Sequence, residues 1–250
     1  MSNSIEPKVI HYCWFGGNDF PDSAKKCVQS WKKNFPEYEI REWNESNFDI
    51  NCCDYVKEAY SAKKWAFVSD YARFWILYHE GGLYFDTDVE VIKDMHKIVE
   101  KGAFMGCETK NKCTSGLDLG ANPGLGLGAN PGLSLYRELI DYYNNIHFSM
   151  DDPILTVVDH TSNVLIKHGW IGSGEIEKVE DIYIYPPDYF CPLNYRTGKL
   201  NITDNTYSIH WYTASWQSKY SHIKTKIQHI LGKKMTQNII RLKHIIKGRK

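Results

Sequence analysis

Long apolar runs are missing from this 250-residue chain: nothing approaches the ~18 consecutive apolar residues of a membrane-spanning helix, and Met1 to Pro7 is short and polar without an apolar signal core. The expectation is a cytoplasmic location. Paired cysteine motifs are missing too. The seven cysteines (Cys13, Cys27, Cys52, Cys53, Cys107, Cys113 and Cys191) are odd in count and contain no CxxC pair, which argues against a zinc ribbon or a disulfide framework and for reduced thiols. Net charge is absent too, with 30 Lys and Arg against 30 Asp and Glu. That balance hides an asymmetry, because no acid follows Asp204 while residues 217–250 hold ten Lys and Arg, so a body near −10 carries a tail near +10. Hydrophobic residues at 42% and charged residues at 24% are those of a globular chain large enough for one sizeable core, which excludes disorder and collagen-like structure.

What is present is an alternation of strand-like and helix-like segments. Lys8 to Phe15 is β-branched and aromatic and ends at Gly16-Gly17, the pattern of a buried first strand. Pro21-Asp22-Ser23 followed by Ala24 to Asn34 predicts a capped helix, and Tyr38 to Trp43 a second strand. Lys64 to Glu80 is apolar at helical spacing (Phe67, Tyr71, Phe74, Trp75, Tyr78) and is stopped by Gly81-Gly82. Leu83 to Phe85 and Val89 to Ile92 predict strands, Leu135 to Asn145 and Thr156 to His168 helices, and Ile182 to Tyr185 a late strand. An octad occurs twice in tandem, Leu119–Gly126 and Leu127–Ser134, each copy with an Asn-Pro-Gly turn. These read as stacked turns or as an acceptor-side loop, and they lack the Gly-Lys-Ser/Thr of a P-loop. The tail predicts two amphipathic basic helices, Tyr220 to Leu231 and Thr236 to Lys247. They read as an element for an anionic membrane surface, with a solvated helix pair as the alternative; the paucity of aromatics after Tyr220 argues against a nucleic-acid partner. Two domains follow: 1–216, and a basic tail over 217–250.

The chemistry concentrates between Gly81 and Glu90. Asp86 and Asp88 lie two residues apart after the apolar Leu83-Tyr84-Phe85, and in an extended backbone they would point to one side. Carboxylates so spaced suit Mg²⁺ or Mn²⁺ with positions left open for phosphate oxygens. A solvated turn and a haloacid-dehalogenase-type phosphatase with Asp86 as nucleophile remain alternatives, while an EF-hand is excluded by its missing Gly and Glu positions. Asp70 and Arg73, three apart on the preceding helix, share a face, either as a site pair or as a surface pair worth about 0.3–0.5 kcal/mol. Trp14 at the first strand's end reads as a base-stacking platform or a core residue. His11, His79 and His160 read as hydrogen-bonded core histidines. His210, among Trp211, Tyr212 and Trp216 and near Ser215, offers an imidazole that suits Mn²⁺ better than Mg²⁺.

Pro7 to Gly17, Lys64 to Arg73, Glu80 to Asp88, Tyr185-Pro186, Ile209-His210-Trp211 and Ser215-Trp216 occur in the order of the sugar-binding region of glycosyltransferase family 32. The chain resembles that family over roughly residues 5 to 216, and so the bacterial capsule and lipopolysaccharide glycosyltransferases, the yeast Golgi mannosyltransferases and the large clostridial glucosylating toxins. The resemblance implies an α/β fold of GT-A type, a Rossmann-like mixed sheet flanked by helices, with a C-terminal helical basic tail. It implies a nucleotide-sugar donor, a divalent metal and retention of configuration. By the same resemblance Trp14 stacks on the base, with UDP favoured, and Asp70 and Arg73 hold donor-sugar hydroxyls. Asp86 contacts ribose or sugar, and Ser69 and Tyr84 join the donor site. Asp88 ligates the metal, with His210 as the C-terminal ligand where the toxin relatives carry a carboxylate, and Ser215 and Trp216 reach the diphosphate. The expected activity is transfer of a hexose or N-acetylhexosamine to a surface glycan carried on a lipid, at the inner face of the cytoplasmic membrane. A non-catalytic, membrane-bound glycan-binding module is the further alternative.

Overall fold

The β-branched and aromatic residues at the start of the chain form β1 (Val9–Cys13), in a computed structural model that describes residues 4–108, 120–150, 155–195 and 197–213. There follow α1 (Asp22–Asn34), β2 (Glu39–Trp43), α2 (Asp54–Ser61), α3 (Trp65–Glu80), β3 (Gly82–Tyr84), β4 (Val89–Val91), α4 (His96–Lys101) and β5 (Phe104–Gly106). The second half contributes β6 (Leu127–Ala129), α5 (Ser134–Asn144), α6 (Val157–Lys167), β7 (Glu177–Val179), β8 (Ile182–Tyr185), α7 (Pro187–Phe190) and β9 (Ser208–His210). The expected strands and helices within this range all form. α1 differs in its start: Pro21 occupies the N-cap in an extended conformation and no side chain caps the helix. The predicted tail helices, and with them the boundary at 216, lie outside the described residues. Among the described residues no helix is long and apolar enough to cross a membrane.

Seven strands form one sheet in the order β2-β1-β3-β6-β5-β8-β7, parallel at β2/β1, β1/β3 and β5/β8 and antiparallel elsewhere, so the sheet is mixed. Alternation along each strand divides the core in two. Leu83 and Phe85 join Trp31 of α1 and Ile98 of α4 on one face, while Tyr84 joins Phe74 of α3 and Tyr136 of α5 on the other. Helices therefore cover both faces of the sheet. β4 and β9 form a separate two-stranded antiparallel sheet, pinned to α1 where Trp31 Nε1 donates to Val89 O at 2.8 Å and Val91 N donates to Ser30 Oγ at 2.9 Å.

The entry to β3 is set by two glycines. Gly81 ends α3 at φ +66°, and Gly82 at φ +91° lies so close to β1 that an added Cβ would fall 2.6 Å from Val9 O. Only glycine permits both the backbone angle and the approach. His11 of β1 locks the same junction, with one ring nitrogen 3.0 Å from Gly81 O and the other accepting from Trp43 Nε1 at 2.9 Å. The Trp43 bond leaves the proton on Nε2, so the neutral ring is fully satisfied. His11 is the hydrogen-bonded core histidine expected, and His160 is likewise buried with Tyr142 as partner at 2.8 Å. His79 departs from expectation: it bonds Trp75 O but lies exposed at the end of α3.

Burial pushes the His11 pKa down to about 4 from an ordinary 6.5. The unfolded chain then binds the proton first on acidification, so stability is lost as pH falls from 6.5 towards 4, by up to about 3 kcal/mol. His11→Asn, which keeps an acceptor for Trp43 and does not titrate, is expected to flatten this part of the stability profile measured by urea denaturation.

Candidate active site at the end of the third strand

Beyond Tyr84 the chain leaves the sheet and turns. Val89 N donates to Asp86 O at 3.0 Å, so Asp86-Thr87-Asp88 is a tight turn and not the extended segment that the alternation argument assumed. The two carboxylates converge nonetheless, because the turn delivers Asp88 to the end of β9. Val89 pairs with His210, Trp211 N donates to Asp88 O at 3.0 Å, and Thr213 N and Oγ1 donate to Asp88 Oδ2 at 2.9 and 3.2 Å. His210 Nε2 sits 3.0 Å from Asp88 Oδ1. One potential ligand atom each from Asp86, Asp88 and His210 lies within 4.8 Å of the others.

The electrostatics divide the two aspartates. For Asp88, burial works against ionisation, but His210 and the Thr213 bonds outweigh it and hold the carboxyl at about 2. For Asp86, burial dominates and Asp88 adds repulsion, so its pKa rises despite Arg73. Burial opposes a charge on His210, yet Asp88 overcomes it and the imidazole is raised above its ordinary 6.5. The trio offers two carboxylates and an imidazole in one cluster, the donor types that would hold a divalent cation. His210 Nδ1 is buried without a hydrogen-bond partner, and a mixed oxygen and nitrogen set fits Mn²⁺.

Arg73 is the second centre. Its Nη2 lies 2.9 Å from Asp70 Oδ1 and 3.3 Å from Asp86 Oδ1, its Nε donates to Ser69 O at 3.0 Å, and its guanidinium lies over the Tyr84 ring at 5.2 Å. Both members of the Asp70–Arg73 pair are buried, so it is not a solvated helix pair. Burial pushes Asp70 up to about 7, with Arg73 opposing and Asp86 adding. Arg73 Nη1 is buried without a partner. Tyr84 donates its hydroxyl to Asp86 Oδ1 at 3.1 Å, while Ser69 Oγ bonds back to Trp65 O at 3.2 Å. Trp14 is half-buried, edge-on to Phe20 at 4.9 Å, with its Nε1 donating to Asn18 O. Ser215 and Trp216 lie outside the described residues.

Each copy of the doubled octad turns at its Pro-Gly, as Asn-Pro-Gly predicts, but the two copies pack in different places. The first copy makes a 3-10 turn at Pro123–Leu125 against the site, and the second makes β6 and the lead into α5. Asn122 Oδ1 accepts from Gly124 N at 2.8 Å, and Gly124 O accepts from Asp86 N at 3.3 Å. A Cβ on Gly124 would stand 2.1 Å from Asp86 Oδ2. Asn122, Gly124 and, beside them, Glu108 were not singled out by the sequence; the first Asn-Pro-Gly turn was their only signal.

Comparison with known proteins bears on the same residues. The family model described as a glycosyltransferase sugar-binding region containing the DXD motif matches residues 21–105. Inositol phosphoceramide mannosyltransferase 1 of Schizosaccharomyces pombe is 30% identical over 110 residues, 40% of this chain and 33% of its own length. The chain thus spans about a third of that curated relative. Among solved structures, PaToxG glycosyltransferase is similar with a TM-score of 0.50 at 17% identity, over 66% of this chain and 70% of that one. A glycosyltransferase involved in glycosylation of the major capsid of PBCV-1 has a TM-score of 0.47 at 11% identity, over 90% of this chain and 100% of that one. The expected GT-A fold is borne out, and the family resemblance is borne out over the matched region, which includes Asp70, Arg73, Asp86 and Asp88.

Gly124→Ala is the substitution this geometry singles out. Gly124 has no positive φ, so alanine strains no backbone there, but its methyl displaces the Asp86 carboxylate. Calorimetric Mn²⁺ titration is expected to show binding weakened about tenfold or more, with the melting temperature held within a few degrees.

Proposed function

From a chain whose residues 21–105 carry a glycosyltransferase sugar-binding region, we propose a metal-dependent, retaining glycosyltransferase. It moves a hexose or N-acetylhexosamine from a nucleotide sugar to a surface-polysaccharide acceptor carried on a lipid. The observation that carries this reading is the convergence of Asp86, Asp88 and His210 within 4.8 Å, next to a buried Arg73 with a nitrogen to spare.

Each group has a task that follows from its position. Trp14, packed edge-on to Phe20, offers a ring face to a nucleobase, an interaction worth on the order of 1–3 kcal/mol. This favours UDP, as the toxin resemblance does. Asp70 and Arg73 bind donor-sugar hydroxyls, the unpartnered Nη1 supplying a donor. Asp86, held by Arg73 and Tyr84, faces ribose or sugar. Asp88 and His210 hold the cation and Ser69 joins the donor site, while Ser215 and Trp216 are assigned to the diphosphate by the family resemblance alone. When bound, the cation supplies charge to the departing diphosphate. The chain orients the acceptor hydroxyl on the leaving-group side, which accounts for retention without a protein nucleophile. The S. pombe relative is named as an inositol phosphoceramide mannosyltransferase, which supports a lipid-borne acceptor, and the resemblance to yeast mannosyltransferases adds GDP-mannose to the UDP-sugars as a donor to try. The basic tail suits an anionic membrane surface, and so a peripheral location on the inner face of the cytoplasmic membrane.

Calorimetry of UDP and GDP with and without Mn²⁺ is expected to show metal-dependent binding that Asp88→Ala abolishes. The absence of binding by any nucleoside diphosphate would overturn the reading. Ligation requires a neutral imidazole, so Mn²⁺ affinity is expected to rise with pH through the raised His210 pKa and to release a proton, seen as a buffer-dependent heat. Metal-dependent hydrolysis across a panel of nucleotide sugars identifies the donor. Phosphate release from a generic phosphoester, abolished by Asp86→Asn, would indicate a phosphatase instead. Ligand binding that survives Asp88→Ala without donor hydrolysis would indicate a glycan-binding module. In flotation with anionic liposomes the full chain is expected to rise and a chain ending at Trp216 to stay behind; equal flotation removes the membrane role of the tail.

A further inference from the structure

Glu108 stands two residues past β5, outside the family match and outside every motif read from the sequence. Its Oε2 accepts from two separate segments, from Asn122 Nδ2 at 2.9 Å and, at a longer 3.4 Å, from the Tyr212 hydroxyl. Its own N–H donates to Gly120 O at 2.7 Å, at the root of the first octad turn. Each donor is a neighbour of a site group. Asn122 holds Gly124, which is pressed against Asp86, and the Tyr212 ring lies edge-on to His210 with centroids 4.1 Å apart. Tyr212 is itself constrained: it has a left-handed backbone at φ +49°, a costly conformation for a bulky residue, and its hydroxyl meets Cys191 Sγ at 2.8 Å. The Tyr212 hydroxyl thus lies between the Cys191 thiol and the Glu108 carboxylate, to which it donates.

Asp86 and His210 belong to different sheets. Asp86 follows β3 of the seven-stranded sheet, whereas His210 closes β9 of the two-stranded one, and the β4/β9 ladder registers His210 against the Asp88 side only. We infer that Glu108 is a positioning residue: it ties the turn that places Asp86 to the segment that places His210, and so fixes their separation across the cation site. The inference rests on reading Asp86, Asp88 and His210 as that site. A group one step removed from a metal commonly tunes its affinity by 10–100-fold.

The test uses the full chain and Mn²⁺ alone, by calorimetry, with amide exchange of Gly124 and Thr213 as a readout that needs no metal. Glu108→Ala is expected to weaken Mn²⁺ about tenfold or more and to speed exchange at both amides. Glu108→Gln, whose single carbonyl oxygen can accept both bonds, is expected to stay within about threefold of wild type. Tyr212→Phe deletes one bond without a cavity and should fall between them, which keeps the test open if Glu108→Ala melts early. Wild-type affinity and wild-type exchange in Glu108→Ala overturn the tie, as does a Glu108→Gln loss equal to that of alanine, which would make the effect one of charge. If the wild-type chain binds no Mn²⁺, the cation-site reading fails on its own, and unchanged exchange at Gly124 and Thr213 in Glu108→Ala then overturns the tie separately.

Discussion

The buried guanidinium of Arg73 is the interaction on which the rest of the site depends. One nitrogen serves Asp70 on its own helix and Asp86 beyond the next strand, at 2.9 and 3.3 Å. Carboxylates removed from water without a counter-charge would cost several kcal/mol each. With Arg73 between them, α3, β3 and the turn after it are fixed relative to one another before any ligand arrives.

The local rules succeeded wherever the deciding contact lay close in sequence. The helical spacing of Lys64 to Glu80, its glycine stop, the shared face of Asp70 and Arg73 and the apolar lead into Asp86 were legible because each needs only a few neighbouring residues. The octad shows where such rules stop. Both copies turn at their Pro-Gly, Pro123–Leu125 and Pro131-Gly132, and they differ in the residues before the turn: Leu127–Ala129 pairs with β3 and β5, whereas Ala121 makes a single bridge to Cys107. Propensity is equal in the two copies and tertiary pairing decides. Gly124 was invisible for a related reason: what it contributes is the absence of a side chain, and that matters only beside Asp86. Glu108 offered a single carboxylate with no pattern around it.

The division of the site between two sheets sets its logic. The seven-stranded sheet and α3 on its face bring Asp70, Arg73, Tyr84 and Asp86 together at the end of β3, and the small β4/β9 sheet brings Asp88 and His210. The turn Asp86-Thr87-Asp88 is the covalent bridge between them, three residues long. Spacing of two along the chain is therefore less a matter of strand alternation than of joining two frames. The two carboxylates converge through a turn and not through the extended backbone that alternation assumes.

The charges indicate what such a junction holds. Asp88 remains ionised to about pH 2, while His210 is drawn towards its protonated form by Asp88 and, more weakly, by Asp86 and Glu108. A proton on His210 is the smallest cation that can occupy this cluster, and it leaves Nδ1 buried without a partner. A divalent ion coordinated by the neutral ring would replace that proton, add charge against Asp86 and Asp88, and leave coordination positions for phosphate oxygens. Exchange of a proton for a cation of higher charge would leave the cluster able to accept a diphosphate that its two aspartates would otherwise repel. On this view Asp88 is the carboxylate committed to the ion, because its charge is the one already fixed. Asp86, whose ionisation burial and Asp88 resist more strongly than Arg73 supports it, is the one whose charge is less firmly held.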